Sequence, residues 1–128
     1  MVRYPSAREI LVLHIKIINQ YGGTHGLRDA GLLESAVARP RSGFGGYEAY
    51  PTMWLKAAAL THSLIKNHPF VDGNKRTGLM AGALFLKRNG YRLGASNKAA
   101  VEIAVDVAED KITLEDLAEW LEANCKEK

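Results

Sequence analysis

Cysteine is nearly absent from this chain of 128 residues, in which Cys125 is the single example. One thiol excludes an internal disulfide and is typical of a protein in a reducing compartment. The sequence also has no apolar run of about 18 residues, the length of a membrane-spanning helix, and no charged-then-apolar leader at its start. We therefore predict a cytoplasmic protein with no membrane span.

Concentrated charge is missing as well. The net charge is only +3 and no five like charges follow one another, so a nucleic-acid surface has little support. The four histidines make no His-Glu-x-x-His pair, and neither a Cys/His zinc spacing nor a Gly-rich P-loop is present. The signatures of the commonest zinc enzymes and P-loop ATPases are therefore excluded.

Alternating strand patterns are also missing, and helical periodicity fills most of the chain. The apolar fraction of 47% indicates a folded globule, and the length suits one domain rather than two. We predict an all-α compact bundle of five to six helices in a single domain, residues 1–128. The predicted helices begin at a capping residue and end near Gly or Pro or with their apolar pattern, over about 6–22, 29–40, 52–68, 74–89, 96–107 and 113–121.

Two segments interrupt the helical pattern. Residues 91–93 can form a brief extended segment. Residues 41–51 contain three glycines and three aromatic residues, which do not suit a helix. Two interpretations of this second segment remain open: an ordinary surface loop, or a mobile flap near an active site.

Polar chemistry is concentrated in residues 68–77, HPFVDGNKRT, which connect two apolar helical segments. The first backbone N–H groups of a helix have no partner inside it and carry partial positive charge, so an anion binds well there. Gly73 lets the backbone approach a ligand, and Lys75 and Arg76 add positive charge. Arg76 can also hold a phosphate through two parallel hydrogen bonds. The pattern predicts a phosphate site at the start of the central helix.

Two further residues in this stretch indicate a reaction rather than binding alone. Asp72 would repel a phosphate unless a cation lay between them, and Mg2+ beside a nucleotide is often held by one carboxylate and phosphate oxygens. His68 can accept a proton from a hydroxyl at neutral pH. Together these are the components of an enzyme that transfers a phosphate group.

Each residue also has a purely structural interpretation. His68 beside a proline is compatible with a turn or a helix end. Residues 72–74 could form only a turn and a helix cap, because Asp, Gly and Asn are all favoured there. Lys75 and Arg76 could be a solvated pair. The catalytic interpretation is favoured because all of these residues fall in one loop, whereas a structural turn needs one or two of them.

The stretch from His68 to Arg76 closely resembles the signature of the Doc (death on curing) toxins, a branch of the Fic/Doc family. The resemblance extends over nearly the whole chain, through residues 21–23, 26–29, 31–34 and 85–90. Fic proteins proper have Gly at the position of Lys75, and most have a second Arg at the position of Leu79. Both differences favour the Doc branch.

The resemblance implies a Fic/Doc-like fold and a set of roles. His68 would be the general base, Asp72 the Mg2+ ligand, and Lys75 and Arg76 catalytic groups that hold the phosphates of ATP. Gly73 and Asn74 would complete the nucleotide cradle, and Phe70 would belong to the nucleotide-binding set as the apolar anchor of the loop. With Lys in place of Gly, ATP would bind reversed and present its γ-phosphoryl to a threonine of elongation factor Tu, arresting translation.

Two features qualify these expectations. Doc proteins can carry an Asn where this chain has Met80, so a polar contact to the nucleotide is lost. No Ser/Thr-x-x-x-Glu inhibitory motif occurs in the sequence, so restraint is expected from a Phd-like antitoxin, through which any nucleic-acid contact would be indirect. The alternatives are a Fic-type AMP transferase and a non-catalytic corepressor that only binds the antitoxin.

Overall fold

A computed structural model describes residues 1–127 of the protein as a bundle of six α-helices. This confirms the predicted all-α fold. The helices are α1 Ala7–Tyr21, α2 Ala30–Ala38, α3 Met53–Asn67, α4 Asn74–Arg88, α5 Asn97–Ala108 and α6 Leu114–Ala123, with a 3₁₀ helix at Arg39–Arg41 after α2. No helix within residues 1–127 is long and apolar enough to cross a membrane.

Local sequence signals set most of the helix boundaries. In five helices a side-chain oxygen of the N-cap residue accepts a backbone N–H of the first turn, as predicted; these caps are Ser6, Asp29, Thr52, Ser96 and Thr113. Helix α4 differs, because its N-cap is Gly73 and no side chain caps it. The start of α4 is therefore left open.

The bundle is built around α3, which packs against α2, α4, α5 and α6. Helix α4 approaches α3 very closely at two glycines. The Thr61 hydroxyl donates to the Gly78 carbonyl oxygen at 2.8 Å, and a Cβ at Gly82 would collide with the same hydroxyl oxygen. This close approach holds α4 against α3 in the core of the bundle.

Four short strands accompany the six helices of this predicted all-α bundle. Strands β1 Gly43–Phe44 and β2 Tyr47–Glu48 pair as an antiparallel hairpin, and β3 Tyr91–Leu93 pairs with β4 Cys125–Glu127. Each has only two or three residues, too few to show an alternating pattern. The extended segment at 91–93 is confirmed, and its partner lies at the end of the chain, where sequence spacing gives no signal.

The segment 41–51, for which two interpretations were open, is therefore a hairpin with an anchored base and an exposed tip. Lys56 of α3 is buried, and its ammonium donates to a Glu48 carboxylate oxygen at 2.9 Å and to the Tyr50 carbonyl. Phe44 and Tyr47, by contrast, are largely exposed. The hairpin thus presents two aromatic side chains to solvent.

An ion pair joins the start of α1 to the end of α4. The Arg88 guanidinium donates to the Glu9 carboxylate, which also accepts the Ser6 backbone N–H in a capping box. The hydrogen bond from Arg88, followed by that from Ser6, lowers the pKa of Glu9 to about 2, from the 4.5 of an isolated glutamate. This contact joins two helices that are 79 positions apart at the paired residues.

We expect Glu9→Gln to lower the free energy of unfolding by about 1 kcal/mol at pH 7, a modest value because both side chains are about a third exposed to solvent. Since folding lowers the pKa, the wild-type advantage is complete above about pH 4.5 and is lost as the pH falls toward 2. Urea unfolding of the wild type and of Glu9→Gln between pH 2 and 7 measures this difference in the free energy of unfolding. Glu109→Gln, in an exposed local pair with Lys111, is the control and should have almost no effect; equal losses in both variants would contradict the prediction.

Candidate active site

The predicted stretch forms a loop, residues 68–73, between the end of α3 and the open start of α4. The connection between α1 and α2 lies along this loop and binds its backbone. Val71 N–H donates to the Gly26 carbonyl at 3.0 Å, and the N–H groups of Arg28 and Asp29 both donate to the Pro69 carbonyl. The loop is therefore held by a segment about forty positions earlier in the sequence.

His68 ends α3 in the left-handed conformation, with φ 50° and ψ 56°. Its side chain is exposed, and its Nδ1 atom lies 3.4 Å from the Asn74 amide nitrogen, which is longer than a good hydrogen bond. The imidazole thus stands beside the start of α4 and remains accessible to a substrate.

Asn74 and Phe70 have more specific roles than the sequence indicated. The Asn74 side chain accepts the Phe70 N–H at 3.0 Å and donates to the Phe70 carbonyl at 2.9 Å. Its side-chain amide is therefore used inside the loop, and its backbone N–H, which has no intrahelical partner, is left for an anion. Phe70 is 1% exposed and cannot touch a ligand directly, so within the predicted nucleotide-binding set it is an anchor only.

His14 of α1 is a member of the site that sequence reasoning missed. Its ring stacks on Phe70 with centroids 3.9 Å apart, and its Nε2 atom lies 2.8 Å from the Asp72 carbonyl oxygen, to which it donates. It is 2% exposed. A signal was present, since His14 falls on the apolar stripe of α1 with Ile10, Ile17 and Ile18. A buried histidine on such a stripe needs a polar partner, and the loop supplies it.

Asp72 is fixed by backbone donors. One carboxylate oxygen accepts the Thr24 N–H at 3.0 Å and the other accepts the Gly73 N–H at 2.8 Å. These two bonds, that of Thr24 first, lower the pKa of the Asp72 carboxyl, so the group is ionised at neutral pH. The residue is exposed, and each oxygen keeps a lone pair free for a cation.

Gly23 allows Thr24 to approach this carboxylate, which leads to a prediction. A Cβ at Gly23 would lie 2.7 Å from an Asp72 carboxylate oxygen, whereas one at Gly22 would meet nothing within 4 Å, although both residues have positive φ. We expect Gly23→Ala to lower the free energy of unfolding by about 2 kcal/mol and the control Gly22→Ala by about 1. Gly23→Ala should also raise the pKa of Asp72 toward its ordinary value, as followed by NMR titration. Identical behaviour of the two variants would refute this.

The first turn of α4 has an unusual charge distribution. The first helical hydrogen bond closes from Thr77 N–H to the Gly73 carbonyl, so the N–H groups of residues 74–76 are free of intrahelical partners. This turn contains no acidic residue but has Lys75 and Arg76, cations that the helix dipole disfavours at this end. The Arg76 guanidinium lies 3.8 Å from the centre of the Tyr21 ring, in a cation–π contact. An anion at this position would relieve the repulsion.

A cavity of about 330 Å³ opens at this turn. One wall consists of residues 72–76 with Leu79 and Met80, and Tyr21 and Gly22 also line it. The other wall belongs to α5, with Asn97 at its start followed by the apolar residues 100, 101, 104 and 105. The lining does not include His68, which adjoins the cavity through Asn74. The cavity thus combines a cationic end with an apolar wall, as a nucleotide requires.

The donor set also fits a nucleotide-bound magnesium ion better than a resident metal. Within residues 1–127, no cluster of three His, Cys, Asp or Glu side chains could hold a metal without help. Asp72 offers a single ionised carboxylate at the edge of the cationic turn. A cation held there would need phosphate oxygens to complete its coordination, which is the usual arrangement for Mg2+.

Comparison with known proteins places this arrangement in a family. The model of the Fic/DOC family matches residues 4–86. The protein named Toxin Doc of Mycolicibacterium smegmatis (strain ATCC 700084 / mc(2)155) is 50% identical over 90 residues, which are 70% of this chain and 65% of that protein. The protein named Protein kinase doc of Escherichia phage P1 is 32% identical over 120 residues, 94% of either chain. The matched region therefore spans just under two thirds of the first relative and nearly all of the second.

Proposed function

The chain belongs to the Fic/Doc family, and we propose that it is the toxin of a toxin–antitoxin module, which transfers the γ-phosphoryl group of ATP to a hydroxyl of a translation factor. The names of its relatives, a toxin and a protein kinase, support this assignment. The observation that carries it is the open, cationic start of α4, which faces a cavity beside the ionised Asp72 and the accessible His68.

The phosphates of ATP would bind at the first turn of α4. The free N–H groups of residues 74–76 and the side chains of Lys75 and Arg76 would neutralise them, and the apolar wall of α5 would cover the rest of the nucleotide. Asp72 would hold Mg2+ against phosphate oxygens. When bound, this ion neutralises charge that develops on the transferred group.

The reaction would transfer one phosphoryl group and one proton. The hydroxyl oxygen of the target forms a bond to the γ-phosphorus, the bond from that phosphorus to the β–γ bridging oxygen breaks, and ADP leaves with the electron pair. His68 accepts the hydroxyl proton, because its ring is exposed and stands beside the phosphate site. Lys75 and Arg76 stabilise the charge on the departing phosphate.

Elongation factor Tu is the substrate that we propose, with a threonine hydroxyl as the acceptor. The exposed Phe44 and Tyr47 of the hairpin offer a surface on which such a polypeptide can dock. Lys56 holds the base of this hairpin through Glu48. Phosphorylation there would arrest translation in the cytoplasm, where ATP and the factor occur together.

Restraint of this activity would come from a separate Phd-like antitoxin. The chain has no Ser/Thr-x-x-x-Glu motif that could insert a carboxylate into its own site. Met80 and Val101 are both about 40% exposed and line the cavity, so an apolar segment of a partner could cover the site. Contact with nucleic acid would then be made by the antitoxin.

The test is labelling of purified elongation factor Tu with γ-labelled and, in parallel, α-labelled ATP in the presence of Mg2+. We expect the γ label alone to appear on the factor. Transfer of the α label instead would identify an AMP transferase, the alternative that the family permits. Toxicity without either label, unchanged by loss of the His68 imidazole, would identify a corepressor that only binds.

A further inference from the structure

Arg28, in the connection between α1 and α2, binds the residue proposed as the general base. Its Nε atom donates to the His68 carbonyl at 2.6 Å, and its NH2 group donates to the Asn67 carbonyl at 2.8 Å. Its backbone N–H donates to the next carbonyl, that of Pro69, at 2.7 Å. One residue therefore holds three consecutive carbonyl groups at the end of α3.

The backbone conformation of His68 explains why the hydrogen bonds from Arg28 are needed. A left-handed backbone is unfavourable for any residue with a Cβ, and in residues 1–127 only His68 and Asp110 adopt positive φ without being glycine. The last carbonyls of α3 also have no intrahelical partners, because the helix ends there, and a basic side chain can donate to them. The Arg28 guanidinium supplies that cation and both donors.

Little else fixes the imidazole. Within the described chain the only hydrogen-bond partner of its ring is the Asn74 amide at 3.4 Å, which is a long contact. With so weak a side-chain partner, the direction in which the imidazole leaves the chain depends mainly on the backbone of residue 68, which sets the Cα–Cβ bond. What holds that backbone also aims the base.

We propose that Arg28 is a positioning residue, which stabilises the left-handed conformation of His68 and so aims the imidazole at the hydroxyl of the protein substrate. The proposal rests on the proposed function for its kinetic consequence, but its structural part can be tested without activity. Arg28 is exposed, and the loop keeps its backbone bonds to Gly26 and Asp29, so losing the guanidinium leaves no cavity and does not detach the loop.

The structural test follows the His68 ring resonances by ¹H–¹³C NMR in the full-length protein. Arg28→Met keeps the length of the side chain and removes the donors, and we expect it to shift or broaden the His68 signals. Arg28→Lys keeps the charge but cannot donate to two carbonyls in the same geometry, and should give an intermediate change; it also serves if Arg28→Met fails to fold. The control is Arg92→Met, at an exposed arginine of β3. Unchanged His68 signals in both Arg28 variants would overturn the proposal.

The kinetic test measures γ-label transfer to elongation factor Tu. Misplacement of a catalytic group by about 1 Å can cost on the order of 10²-fold, so we expect Arg28→Met to lower kcat by roughly 10- to 100-fold with the KM for ATP nearly unchanged. In a His68→Gly background, Arg28→Met should cause no further loss, because the two residues act through one group. A full additional loss would overturn the proposal. If the wild type labels nothing, the proposed function fails, and the ring resonances alone decide the role of Arg28.

Discussion

Replacement of His68 by asparagine is expected to lower kcat for phosphoryl transfer by about 10³-fold, since a positioned general base contributes on the order of 10²- to 10⁴-fold. Because the imidazole is exposed and does not line the cavity, ATP affinity should change little. The loss would therefore appear in kcat and not in the Kd for the nucleotide. Single-turnover transfer of the γ label, with ATP binding measured by calorimetry, separates the two.

Asparagine is the informative substitution because of the backbone. Residue 68 has φ 50°, and Asn tolerates this left-handed conformation better than Ala does. His68→Asn should therefore keep the melting temperature of the wild type, while His68→Ala adds strain and lowers it. The matched control is His25→Asn. His25 is exposed, lies outside the motif and bonds to Asn19, so this variant should retain full activity. Normal turnover by His68→Asn would exclude the base.

Features of the fold that depend on residues close together in the sequence could be predicted, and features that depend on residues far apart could not. Helix starts depend on a residue and its neighbours two or three positions away, so the caps at Ser6 and Thr113 could be read directly from the sequence. The pairing of β3 with β4 depends on residues more than thirty positions apart, and three-residue strands have too little pattern to show it. The helical bundle was thus predictable, and its strands mostly were not.

The residues of the candidate site also fall into two groups, those close together in the sequence and those far apart. The motif is contiguous, so sequence alone brought His68, Asp72 and the cations of α4 together. The residues that hold them come from elsewhere: His14 reaches Asp72 across 58 positions and Arg28 reaches His68 across 40. The reactive residues could be predicted because they lie in one loop. The residues that hold them in position could not, because tertiary packing brings them there.

The Asn74 side chain has a structural role that its residue type does not reveal. An amide beside a phosphate site resembles a ligand-binding group, yet this one makes two hydrogen bonds to the backbone of Phe70. It closes the loop as a backbone turn would, which Asn does readily. We therefore expect the first turn of α4 to contact the nucleotide through its backbone N–H groups and its two cations. Lys75 is one of these two cations.

Replacement of Lys75 by glycine is expected to change which part of ATP is transferred. Lys75 is exposed, lines the cavity and stands in the first turn of α4, where its ammonium adds charge and its four-carbon stem occupies space. Removing it opens the phosphate cradle and takes away one cation. We expect transfer of the γ label to fall by about 10²-fold, as when one preorganised donor is lost, and transfer of the α label to rise above background.

Two matched variants separate size from charge in this effect. Lys75→Met keeps most of the volume and loses the ammonium, so it should weaken γ transfer without giving α transfer if crowding selects the orientation of ATP. Lys75→Ala opens the cradle like glycine but favours the helix, and it should behave as Lys75→Gly does, which rules out a loss of helix stability as the cause. Parallel reactions with γ- and α-labelled ATP on elongation factor Tu give both rates. If Lys75→Gly only slows γ transfer and never transfers the α label, Lys75 neutralises phosphate charge but does not select the orientation of the nucleotide.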